Sequence, residues 1–244
     1  MNELLTATLE TLEMTCLSLV FSYVIAIPLG ILTNETSKTG LFPNRVINWI
    51  LNIIIGFGRA VPFTILMVLA LPLTRFLVGT GIGTTATVVP LTLAAVPFVA
   101  RTLEQSLEQV DPWIIKASKI DKASKLKIIF KIKLGSRMFD VVNSIGLTSV
   151  AIISYTAMAG AVGGGGLGNY ALTHGFYRYD WMSVLWATLI IVVIVCVFQF
   201  TFKALSSLFD WRIKWNENNV WYYMHNYNNW IIYFISKGEL KWKD

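Results

Sequence analysis

The sequence predicts an all-α membrane protein of five transmembrane helices, with a helical cytoplasmic segment between the third and the fourth. Composition is the first reason. Hydrophobic residues make up 55% of the 244 residues and charged ones 14%, against about 25% charged in ordinary globular chains; the mean hydropathy is +0.60. Too little polar side chain remains to coat a water-soluble body. Second, the apolar residues collect into five runs close to the roughly 20 residues that cross a bilayer's hydrocarbon. Third, the basic residues behind the net charge of +6 sit in the connections between those runs, mostly in alternate ones.

The runs follow in order. The first covers 11–32 and the second 46–73, the latter longer than one crossing requires and interrupted by Gly56, Gly58, Arg59 and Pro62. A short interfacial helix before the true second span accounts for that excess. The third run covers 84–99, the fourth 141–162 and the fifth 182–202. The first ten residues lack Lys and Arg and no small-residue cleavage site follows, so the first span is expected to persist rather than be removed as a signal peptide. The amino-terminal tail carries Glu3, Glu10 and Glu13 and no base, whereas nine bases lie between Arg101 and Arg137. Lys38 and Arg45 share the side of those nine, and only Arg75 and Arg178 lie in the alternate loops. The asymmetry places the amino terminus outside and the carboxyl terminus in the cytoplasm.

Residues 100–140 have helical periodicity rather than linker composition: Leu103 and Leu107, then Ile114, Ile115, Ala117 and Ser118, then Leu126, Ile129, Phe130 and Ile132 recur three and four apart. Asp111-Pro112 is a helix start with Pro at the first helical position. A basic amphipathic element of this kind docks on a protein, lies on anionic lipid or finishes the adjoining helices, and the residues leave these open. Residues 1–215 read as the transmembrane domain. The tail, 216–244, is cytoplasmic and rich in Asn and aromatic residues, and its role is not legible; Trp221, Tyr222, Tyr223 and Trp230 suit a membrane interface.

Catalytic chemistry has little to work with. Cys16 and Cys196 lie within apolar runs, which leaves no disulfide framework or zinc site, and the basic residues form no face on a soluble fold for nucleic acid. No G-x-x-x-x-G-K-[ST] stretch is present, so ATP with its Mg belongs on another polypeptide and this chain binds no cofactor. Gly163, Gly165 and Gly168 satisfy G-x-G-x-x-G but follow a membrane span rather than a strand. His174 and His225 fall on opposite sides of the membrane, so no metal site and no catalytic residue is expected. Apart from Glu13 at the start of the first run, Arg59 is the one charged residue within the spans, where insertion costs roughly 2.5 to 3.5 kcal/mol. With Pro62 just beyond it, Arg59 reads as a helix start, with an interfacial anchor and a gate or coupling charge both open. Met158 is the bulky, flexible side chain among Ala157, Ala159, Gly160, Ala161 and Gly163 to Gly166, suited to plug a narrow constriction and move aside. Met158, with Tyr155 and Gly160 beside it, forms the candidate pore and gate group.

These residues resemble the membrane-spanning subunits of ATP-binding-cassette importers, in particular the D/L-methionine permease family, over 12–210. The run Ser154-Tyr155-Thr156-Ala157-Met158-Ala159-Gly160-Ala161-Val162-Gly163, followed by Gly165-Gly166-Leu167-Gly168, is similar to the family's Tyr-Ser-Ala-Met-x-Gly-Ala-Val-Gly-x-Gly-Gly-Leu-Gly. Arg59-Ala60-Val61-Pro62-Phe63 and Val89-Pro90-Leu91-Thr92 through Pro97-Phe98-Val99-Ala100-Arg101 resemble two further segments. The resemblance implies a type I importer fold in a bacterial inner or plasma membrane. It further implies a homodimer that forms the path for methionine or a related amino acid or short peptide, with two ATP-binding subunits and an extracytoplasmic substrate-binding protein. It also implies that residues between spans three and four couple to the ATPase. Family members carry Glu-Ala-Ala, three residues, then Gly there. This chain has Lys116-Ala117-Ser118, then Lys119, Ile120 and Asp121, then Lys122. Lys122 therefore takes a strained turn, or the loop follows another path. The eight bases from Lys116 to Arg137 against Asp121 alone point to an acidic groove or anionic headgroups. Two rival readings stand beside the permease: an autonomous channel or secondary transporter, disfavoured because spans without further ionisable residues offer no ion coupling, and a decayed subunit that no longer transports.

Overall fold

A computed structural model describes residues 2–209; the 216–244 tail and His225 lie outside the described residues. The helices are α1 (Asn2–Thr36), α2 (Arg45–Ala60), α3 (Phe63–Leu69), α4 (Leu71–Val78), α5 (Thr84–Glu108), α6 (Pro112–Ile120), α7 (Lys125–Lys127), α8 (Met138–Gly160), α9 (Gly166–Tyr170) and α10 (Trp181–Ser207). Wider π-helical turns continue α7 over Ile128–Leu134 and α9 over Ala171–Phe176. Four helices, α1, α5, α8 and α10, are long and apolar enough to cross a membrane, and the bent pair α2–α3 passes the same test when taken as one span.

The α1–α5 pair is the spine. Thr11, Thr15, Ser18, Ser22, Ala26, Gly30 and Thr33 recur three or four apart and are all buried, a seam of small residues of the kind that lets helix backbones approach in lipid. At Gly30 an added β carbon would stand 2.7 Å from the Ala100 carbonyl oxygen. The seam's threonines bond within their own helix, Thr11 donating to the Ala7 carbonyl at 2.9 Å and Thr15 to Thr11 at 2.7 Å, as threonines do at i−4, while Ser22 donates to the Thr92 carbonyl of α5 at 3.5 Å. Across the bundle the Tyr23 hydroxyl lies 2.8 Å from Ser144 Oγ and 3.2 Å from Thr148 Oγ1, tying α1 to α8. Met14, Leu19, Phe63, Met67, Leu91 and Ile152 fill the space between.

Among the four long helices α1, α5 and α10 run parallel and α8 runs against them, which gives the bundle two ends. The Glu3 end collects the starts of α1, α5 and α10 with the glycine turn after α8; the basic end collects Thr36, Glu108 and Met138. The second span differs from expectation. Its break falls at Val61-Pro62, with a bend of 108° between α2 and α3, but α2 does not lie at an interface. Asn48 Nδ2 donates to the Thr33 carbonyl at 2.8 Å, Ile55 is buried with Ala26, Val96 and Val99, and Gly58 abuts the Pro97 ring. The helix therefore climbs along α1 and α5, because its apolar positions match theirs. Arg59, expected at a helix start, sits in the last turn of α2 instead, and α3 begins after Pro62, since proline supplies the start's fixed φ but no N–H to continue the helix before it.

Candidate functional site

Two regions hold the residues singled out by sequence: the basic end and the glycine turn after α8. At the basic end Asp111 caps α6, its carboxylate accepting from the Trp113 N–H at 2.8 Å, with Pro112 at the first position. No residue of α6 is buried. Trp113 and Ile120 are 61% and 79% exposed, and the Lys116 ammonium lies over the Trp113 ring, 4.6 Å from its centroid. Lys116, Lys119, Lys122, Lys125, Lys127 and Lys131 are all exposed; Ala117 and Ser118 are half-buried on the other side of the helix, Ser118 donating to the Ile114 carbonyl. An amphipathic, cationic helix thus stands uncovered at this end.

The turn after α6 answers the question that Lys122 poses. Its φ is +53°, its N–H donates to the Lys119 carbonyl at 3.1 Å, and the Ala123 N–H reaches back to Ser118 at 3.1 Å. That pair of bonds is the Schellman C-cap, whose left-handed residue is usually Gly. Lys122 therefore keeps the glycine's conformation and bears its strain.

The segment is anchored by residues that the sequence reading missed. Lys133 Nζ donates to Glu35 Oε1 and to Asn34 Oδ1, each at 2.5 Å, and both side chains of the ion pair are only 4% exposed. Glu35 Oε2 in turn accepts the Leu41 N–H at 2.9 Å, so one carboxylate joins the end of α1, the 37–44 turn and the Ile128–Leu134 stretch. Arg137 donates to the Gln109 carbonyl and pairs with Asp140 at 3.3 Å, closing the segment's far side. Asn34-Glu35, acidic and amide at the end of a span in a basic region, was the only available signal.

At the other region α8 ends in a chain of glycines at positive φ: Gly163, Gly165 and Gly166. The Gly166 N–H donates to Glu10 Oε2 at 2.7 Å and the Leu167 N–H to Thr11 Oγ1 at 2.9 Å; the Gly83 N–H donates to the Gly163 carbonyl at 3.0 Å. This turn is held by α1 and α5 and is a structural hinge between α8 and α9. Met158 and Gly160 are 200° apart around α8, and the structure separates them. Met158 is 49% exposed. Gly160 is buried, and a β carbon on it would stand 2.2 Å from the Asn169 nitrogen, which moves it from the gate group to packing. Tyr155 stacks on Phe63 at the start of α3, ring centroids 4.7 Å apart, and so links the α8 face to the break in span two. Beside the hinge, Asp180 caps α10; hydrogen bonding from Ser183 holds its carboxyl below the ordinary value, the Met182 N–H and nearby His174 acting in the same direction. His174 Nε2 lies 2.9 Å from Glu3 Oε2, and among the described residues no metal-holding group of His, Cys, Asp or Glu occurs. Arg59 is exposed at the α2–α3 break.

Comparison with known proteins adds to this geometry. Residues 26–215 match the family described as binding-protein-dependent transport system inner membrane component. The chain is 45% identical over 207 residues to a probable D-methionine transport system permease protein of Pasteurella multocida, covering 84% of this chain and 95% of that one. It is 38% identical to the methionine import system permease protein of Bacillus subtilis, covering 87% and 96%. Its fold superposes on a chain of the MetNI methionine ABC transporter in an inward-facing conformation, with a TM-score of 0.84 at 33% identity over 86% of this chain and 97% of the other.

Proposed function

The chain belongs to the binding-protein-dependent transport system inner membrane components, and from that premise we infer that it forms, as a homodimer, the translocation path of an ATP-driven methionine importer. It is a multi-pass membrane protein of the type I importer fold. Two ATP-binding subunits supply ATP and Mg, and an extracytoplasmic binding protein delivers the amino acid.

The observation that carries this reading is the coupling segment. A short uncovered helix, α6, closes in a Schellman turn at Lys122, and the stretch that follows it, Ile128–Leu134, is tied to span one through Lys133 and Glu35. Force applied to α6 by an ATPase groove has a rigid route into α1 and α8. That the turn keeps its shape with Lys in the glycine position supports a working segment over a decayed one. The basic end faces the cytoplasm by the positive-inside rule, which leaves the Glu3 end to meet the binding protein. At the opposite face Met158 projects from α8 beside small residues as the gate, with Tyr155 behind it.

Uptake of labelled methionine, other amino acids and short peptides by a deletion strain carrying this chain with its neighbouring subunits tests the reading. ATP-dependent methionine uptake is expected; uptake without any ATPase would favour a channel or secondary transporter. Single cysteines at Ser124 and Thr173, in a chain lacking Cys16 and Cys196, test orientation: they should label from the inside and the outside respectively.

A further inference from the structure

Arg59 is a cation with no partner among the described residues. It is exposed and, among the described residues, engages in no hydrogen bond, ion pair or ring contact. Its depth follows from its neighbour. Gly58 packs against the Pro97 ring, which would lie 2.5 Å from an added β carbon. Asn48 meets Thr33 at the basic end of the first apolar run, and Arg59 lies eleven residues further along α2, about 16 Å deeper at 1.5 Å per residue. The guanidinium is therefore attached at mid-span.

Its direction follows from the rest of α2. Trp49, Ile50, Ile53 and Phe57 are exposed together on one side of the helix, the side that suits lipid. Arg59 lies nearly opposite, in line with Asn48 and Asn52, which are spaced four and seven residues along the helix. The lower part of that line is polar, with the buried Ile55 between Asn52 and Arg59: Asn48 donates to Thr33, Asn52 Nδ2 to the Asn48 carbonyl, and Arg101 to Asn52 Oδ1 at 3.1 Å. The line runs from the basic end upward and stops at Arg59. A side chain that is exposed yet turned from the lipid face opens onto water or a passing solute, because an unpaired charge in hydrocarbon is too costly to keep.

Among the described residues no carboxylate is in a position to neutralise it. Glu104 is seven residues toward the basic end from Pro97, about 10 Å in depth, and is held by Arg101 at 2.6 Å. Glu13 is thirteen residues beyond Ala26, which packs level with Val96, about 20 Å the other way. A second copy related by a two-fold axis along the membrane normal has its carboxylates at the same depths and adds none.

We propose that Arg59 is a binding site for the carboxylate of the transported amino acid, met halfway across the membrane, with Asn52 and Arg101 on the exit side. This rests on the importer reading above. A guanidinium presents a planar fork of donors that matches a carboxylate in two parallel hydrogen bonds.

The test uses the complete transporter in proteoliposomes. Arg59→Gln should lower methionine uptake per ATP hydrolysed about tenfold or more, the scale of one charge-assisted hydrogen bond, and Arg59→Lys, which keeps the charge but not the fork, should fall between Arg59→Gln and wild type. A second measurement is independent of the substrate. Gly56, one turn before Arg59, has open space where a β carbon would be. Gly56→Cys, without the two native cysteines, should react faster with an anionic methanethiosulfonate than with a cationic one, and Arg59→Gln should erase the preference. Failure of the cysteine to react with either reagent, or an unchanged preference, overturns the proposal. So does uptake per ATP at the wild-type level in Arg59→Gln. If the wild-type transporter moves no methionine while the labelling preference holds, the substrate reading falls and the anion site stands.

Discussion

Replacing Lys133 with Met removes the cation of the buried pair and leaves its carboxylate. Both side chains are 4% exposed and 2.5 Å apart, and Asn34 and the Leu41 N–H complete the cluster. Methionine fills most of the space, so the expected cost is the charge left on Glu35, about 3 to 5 kcal/mol for breaking one side of a buried ion pair. The double variant Lys133→Met with Glu35→Gln leaves no charge, and the amide still accepts from Leu41. Apolar or neutral replacement of a whole buried pair is often close to neutral, so at least half of the single variant's loss should return. Reversible denaturation of the purified chain in mixed micelles, run as a double-mutant cycle, measures this. Because the pair also joins the coupling stretch to α1, the single variant should hydrolyse ATP with less uptake per ATP. A cost below about 1 kcal/mol for Lys133→Met, or a double variant no better than the single, would refute the argument that this pair holds the segment in place.

Lys122→Gly should stabilise the α6 turn by roughly 1 kcal/mol or more, the strain of a left-handed non-glycine residue, seen as slower hydrogen exchange at Ala123. Combined with Lys116→Glu, the same change should reduce complex recovery and uptake with the chain's own ATPase if that groove is acidic, and recovery from wild type should fall with salt. Met158→Ala should make sealed proteoliposomes leaky to methionine while the chain folds normally; Gly160→Ala should instead cost about 1 to 3 kcal/mol of stability as an overpacked site, given the 2.2 Å approach to Asn169. Asp180, with its folded-state pKa below the ordinary 3.8, adds stability that is complete above that value and is lost as pH falls through the lowered one. Thermal unfolding of wild type should therefore lose stability on acidification below about pH 4, and Asp180→Asn should lose that part of the dependence.

The five spans were legible because hydrocarbon leaves an apolar run little choice but a helix, and that choice depends only on residues near in sequence. The Asp111-Pro112 start is equally local, and so is the strain at Lys122, since a C-cap needs its left-handed residue wherever the chain goes next. The pairing of Lys133 with Glu35, 98 residues apart, leaves no trace in any periodicity; only the packing of the π-helical stretch against the end of α1 brings them together. Helical spacing set Met158 and Gly160 on opposite faces of α8, but α9 decided which face was buried. Hydropathy located Arg59 within the second run and could not say how deep, because depth was set by Gly58 meeting Pro97. Backbone satisfaction in lipid is a local demand that the sequence states outright, whereas which faces close on each other is settled only when distant helices compete for the same contacts.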